Sequence, residues 1–192
     1  MTAVDLCAYV GLLAVFLATV NICIGLLIAV RYSPLRFWPH RRMNIFALHR
    51  WTGYLLLTSI LVHPVILLFS SRNRFRVPDI LFPIHSPVQP FENTIGAVGL
   101  YLIVVVILTS YFRLDLGRPL WKAFHYLVYV ASIFVFVHSV LTDPELTGVA
   151  IDPFDGEKIF VEVCLLVVLT TSLYAWRYRV RKYRQASLRN QQ

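Results

Sequence analysis

Five stretches of this sequence stay apolar for about as long as a bilayer is thick, and that leaves few folds open to the chain. They cover roughly residues 6–30, 45–70, 92–112, 121–142 and 158–178. A spanning helix needs about 20 apolar residues, because in hydrocarbon every backbone amide must find its partner inside its own segment. Hydrophobic residues make up 58% of the chain and charged residues 15%, far from the balance of a soluble domain. The expected fold class is an all-α membrane protein, a five-transmembrane-helix bundle forming a single domain over residues 1–192.

The first segment reads as a retained helix rather than a leader, since Met1 to Leu6 carries no basic residue and no small-residue cleavage site follows. The three cysteines, Cys7, Cys23 and Cys164, lack CxxC spacing and read as buried small hydrophobes. A net charge of +8 would suggest nucleic acid in a soluble protein, but here the basic residues sort by loop. Arg31, Arg36, Arg41, Arg42 and Arg50 flank the first loop, and Arg113, Arg118 and Lys122 the third. Arg177, Arg179, Arg181, Lys182, Arg184 and Arg189 fill the tail, so fourteen of the eighteen basic residues share one side. The expectation is a multi-pass protein of the cell (inner) membrane, with the N-terminus outside, the C-terminus cytoplasmic and no nucleic-acid partner.

Two of the segments carry histidines. LHRWTGYLLLTSILVHPVILLF holds His49 and His63, and WKAFHYLVYVASIFVFVHSVL holds His125 and His138. An ionisable side chain at membrane depth is costly unless paired or bound, so each marks a site. Fourteen residues of helix rise about 21 Å and thirteen about 20 Å, which puts the histidines of two parallel helices in two pairs at two depths. His49 and His63 leave one helix face within roughly 40°, whereas His138 falls about 140° from His125 on an ideal helix. That second helix needs a tightened turn, or the two sites must be rotated relative to each other. Facing neutral imidazoles are suited to the two axial positions of a six-coordinate heme iron. Pro64, directly after His63, frees the carbonyl of Ile60 and is expected to kink the second helix.

At these spacings the four histidines resemble the bis-heme core of the ferric reductase-like transmembrane family, which includes NADPH oxidases and ferric-chelate reductases, over roughly residues 31–178. The resemblance implies two b-type hemes between helices two and four, one on His49 and His125 and the other on His63 and His138. It implies transmembrane electron transfer from a cytoplasmic-side donor, a flavoprotein reductase or a quinol, to an outer acceptor such as ferric chelate, dioxygen or a periplasmic protein. Arg50, Arg118 and Lys122 lie near the inner histidines in sequence, and Arg72 and Arg74 lie in the outer loop, where heme propionates or lipid headgroups would balance them.

No glycine-rich phosphate loop and no nucleophile arrangement is present, so no catalytic residue is assigned and no dinucleotide site is expected. In this the chain is similar to heme-only members, such as the membrane subunit that feeds bacterial periplasmic methionine sulfoxide reductase. Two other readings stand beside this one. A histidine-lined divalent metal transporter would want carboxylates beside the histidines, and only Glu92 and Glu162 lie near the membrane. A scaffold, or membrane anchor subunit of a periplasmic reductase, needs no bound group at all. Asn21 and the glycines at 11 and 25 are expected to serve helix contacts. The apolar residues Ile80, Leu81, Phe82 and Ile84 are expected to fold over the outer mouth, and Tyr54, Tyr129 and Phe134 to lie between the two depths.

Overall fold

In a computed structural model, residues 2–30, 44–71, 74–143 and 154–189 are described, and among them every regular element is helical. Five helices are long and apolar enough to cross a membrane. The first is α1, Ala3–Ala29, opened by a capping box in which the Thr2 hydroxyl accepts from the Asp5 amide and the Asp5 carboxylate accepts from the Thr2 amide. The second is α2, Ile45–Ile66, continued by a 3₁₀ turn over Leu67–Phe69. Its first amides, on Phe46 and Ala47, are held by the Asn44 side chain.

After the short α3, Val77–Leu81, comes α4, Pro90–Tyr111, entered through the left-handed Gln89 and a proline in its first turn. A four-residue α5, Arg113–Leu116, leads to the fourth span, which is in two pieces: α6, Arg118–His125, and α7, Leu127–Leu141. The last span belongs to α8, Gly156–Arg189. At about 1.5 Å per residue its 34 residues reach roughly 51 Å, well past a hydrocarbon layer of about 30 Å. The helix therefore continues beyond residue 178, the end read from hydropathy, and carries Arg177 to Arg184 out of the apolar zone.

The spans alternate in direction. α1 packs closely on α2, α4 packs on α7, and α8 closes the bundle against α1 and α7. The main core lies where these last three meet, around Val15, Ile22, Leu26, Phe136, Val161 and Val168. The two histidine-bearing spans thus rest on α1 and α4 rather than on each other, which keeps a gap between them. The loop between α2 and α4 folds onto one end of the bundle through Phe75, which is buried against Cys7 and Leu67 with Ile80 beside it. Leu81, Phe82 and Ile84, expected to join that cover, are exposed instead. The side chain of Gln89 exchanges two hydrogen bonds with the backbone of Asp143, tying the start of α4 to the end of α7.

Candidate functional site

The fourth span breaks at Tyr126, between the segments carrying His125 and His138, and the Tyr129 amide there bonds three residues back to the Tyr126 carbonyl. A turn of that kind adds roughly 20° per residue over an α-helical one, which recovers part of the mismatch between thirteen residues and whole turns. Pro64 lies within α2 and does not end it; the helix tightens to 3₁₀ three residues later. The outcome is two ring pairs at two levels. His49 and His125 have ring centroids 6.3 Å apart with planes at 73°, and His63 and His138 are also 6.3 Å apart, at 77°.

That separation has a chemical meaning. Metal–imidazole bonds run to about 2 Å and the ring centre lies roughly 1.1 Å behind the bonding nitrogen, so two imidazoles on opposite sides of one metal ion sit about 6.2 Å apart. The other ring nitrogen of each histidine is already engaged. His49 Nδ1 lies 3.2 Å from the carbonyl of Asn21, His63 Nδ1 2.8 Å from that of Cys7 and His138 Nδ1 2.8 Å from that of Glu92. A carbonyl can only accept, so these three histidines carry their proton on Nδ1 and leave the Nε2 lone pair free to bind a metal. His125 Nδ1 meets a hydroxyl instead, Ser110 Oγ at 3.2 Å.

Small residues bring the supporting helices close enough to do this. A Cβ built on Gly96 would lie 2.8 Å from both Cε1 and Nδ1 of His138; on Gly11 it would lie 3.0 Å from Cε1 of His63, and on Gly25 3.2 Å from Cε1 of His49. Gly11 and Gly25 are fourteen residues apart on α1, and Gly96 and Ser110 are fourteen apart on α4. The same interval separates His49 from His63, so small residues at the histidine period in neighbouring apolar segments were a readable signal for the supporting residues. Asn21 completes the support by donating to the His49 carbonyl at 2.6 Å and to Thr52 Oγ1 at 2.7 Å. Cys7 does the same for His63, its thiol donating to the His63 carbonyl at 3.2 Å. That carbonyl is left over where the chain turns to 3₁₀ after Pro64.

A cavity opens at the His63/His138 level among α1, α2, α4, α7 and the start of α8. Asp79, Asp143 and Glu157 line it with Lys158, which is only 4% exposed. The Lys158 ammonium donates to the carbonyls of Ser139, at 2.9 Å, and Thr142 at the end of α7. Among the described residues the cation lining this cavity is Lys158, which sequence reasoning passed over, and Arg74 is exposed outside it. Arg72 lies outside the described residues. Arg50, Arg118 and Lys122 are exposed at the His49/His125 end. Tyr54 packs edge-on against Trp51 and Tyr129 stacks on Tyr126, each within its own span. Between the two levels, Ala14 and Ala18 of α1 pack with Leu56 and Ile60 of α2 in an aliphatic cluster.

Comparison with curated proteins and with solved structures gives no match for this chain. The family model for the ferric reductase like transmembrane component matches residues 11–136, well over half of the sequence, including three of the four paired histidines and the glycines at 11, 25 and 96. With five apolar helices and that match, the chain belongs to the ferric reductase-like transmembrane family, as a multi-pass membrane protein.

Proposed function

We propose that this protein conducts electrons across the membrane through two b-type hemes, one held by His49 and His125 and the other by His63 and His138. The observation that carries the reading is the pair of facing imidazoles at each level, 6.3 Å between centroids. When bound, each heme would supply a one-electron iron couple, with the two imidazoles of its level as the residues that would hold it. Everything else is the work of the chain. Nδ1 hydrogen bonds fix the ring orientation and raise the basicity of Nε2, and the aliphatic layer of Ala14, Ala18, Leu56 and Ile60 keeps water from the space between levels. A bare divalent cation would want about four ligands, and among the described residues no cluster of three or more His, Cys, Asp or Glu forms. A porphyrin already brings four nitrogens, so two imidazoles suffice.

The loop charges support a direction. The described basic residues Arg50, Arg113, Arg118, Lys122 and the Arg177–Arg184 run lie at the His49/His125 end, which the positive-inside rule assigns to the cytoplasm. Electrons then enter there from a separate flavoprotein reductase or a quinol, and leave at the His63/His138 end to ferric chelate, dioxygen or a periplasmic protein. A pyridine hemochrome assay on the purified protein should give about two hemes b per chain, released without covalent attachment because no CxxCH motif is present. No heme would remove the proposal. The near-perpendicular ligand planes add a second expectation. Electron paramagnetic resonance of the oxidised protein should show highly anisotropic low-spin signals, and a rhombic spectrum of parallel ligands would contradict the ring geometry.

A further inference from the structure

Three of the four histidines set their Nδ1 on a backbone carbonyl, and His125 sets its own on Ser110 Oγ. That hydroxyl has a second neighbour. The indole N–H of Trp121 donates to Ser110 Oγ at 3.3 Å, and the indole ring itself lies 5.3 Å from the His125 ring, tilted by 33°. Trp121 is one turn before His125 on α6, while Ser110 is near the end of α4, so the three side chains form a chain across two helices. A serine oxygen is a weaker acceptor than an amide carbonyl, and a donated indole proton draws its electron density away further.

We infer that Ser110 and Trp121 are positioning residues which set the electron richness of the His125 ligand, and with it the potential of the His49/His125 site. The inference rests on the proposed hemes. A hydrogen bond accepted from Nδ1–H pushes electron density onto Nε2 and favours the ferric state, so a stronger acceptor lowers the potential and a weaker one raises it. The two side chains act with opposite sign. Removing the hydroxyl strips His125 of its acceptor, whereas removing the indole N–H leaves Ser110 Oγ a better one.

The test is a spectroelectrochemical titration of the purified, heme-loaded protein, with the His63/His138 heme as the internal reference. Ser110→Ala should raise the potential of the His49/His125 heme, Trp121→Phe should lower it, and Ser110→Thr, which keeps the hydroxyl, should stay near the unmodified value. The His63/His138 potential should not move in any of them. Shifts of the same sign in Ser110→Ala and Trp121→Phe, or no shift in either, overturn the inference while leaving the two-heme reading intact. Should Ser110→Ala shed its heme, the sign in Trp121→Phe decides alone. An unmodified protein that binds no heme ends both proposals together.

Discussion

With the two proposed hemes in place, replacing His63 by leucine should leave the protein with about half of its heme and with one working end. Leucine removes one of the two proposed ligands without adding charge to an apolar setting, and the partner ring on His138 keeps its own anchors on the Glu92 carbonyl and Thr142 Oγ1. The heme on His49 and His125 should remain, with its spectrum unchanged, and a cytoplasmic donor should still reduce it. Transfer to an external acceptor should collapse. His49→Leu is the mirror experiment: reduction from the donor side should stop while external dithionite still reduces the heme on His63 and His138. Both hemes lost from either variant, in a bundle that stays folded, would rule out independent sites; undiminished external transfer in His63→Leu would place that site off the electron path.

A single methyl group should be nearly as damaging. At Gly96 an added Cβ would lie 2.8 Å from Cε1 and Nδ1 of His138 and 3.0 Å from its Cγ. The ring cannot swing aside freely, because Nδ1 is held at 2.8 Å by the Glu92 carbonyl and at 3.1 Å by Thr142. Either the imidazole loses its anchor or α4 moves off α7, and overpacking of this kind costs about 1 to 3 kcal/mol. Gly96→Ala should therefore lower thermal stability and selectively weaken the His63/His138 site, seen as a lower heme content and an altered Soret band. Gly25→Ala, with its nearest His49 atom at 3.2 Å, should be much milder. Equal effects at the two positions would mean that ring crowding is not what these glycines relieve.

Much of this architecture can be read without coordinates, because the bilayer imposes a coarse and legible pattern. The five apolar runs announce the spans, and the spacing of His49, His63, His125 and His138 announces two levels. What stays hidden depends on the register between helices. The carbonyls of Asn21, Cys7 and Glu92 hold three histidines, and no sequence pattern marks a carbonyl. Charges also mislead, since a sequence shows which loop holds a lysine or arginine and not which way the side chain turns. Arg74 is exposed, while Lys158, the lone basic residue of its loop, is buried at the end of α7. The end of α8 is misjudged for a related reason. Hydropathy stops at the membrane surface, but the helical backbone does not, and arginine and lysine are good helix formers.

Lys158 also bears on how the protein is made. All four imidazoles have emerged once the fourth span is synthesised, yet the carbonyls of Ser139 and Thr142 at the end of α7 have not then met the Lys158 ammonium. They meet it when the start of α8 enters the bundle. A nascent chain halted after four spans would carry all four paired histidines and still lack the Lys158 contact on the helix that bears His138. The two levels would therefore mature in sequence during insertion, with the His63/His138 level waiting for the last span, which itself contributes no histidine.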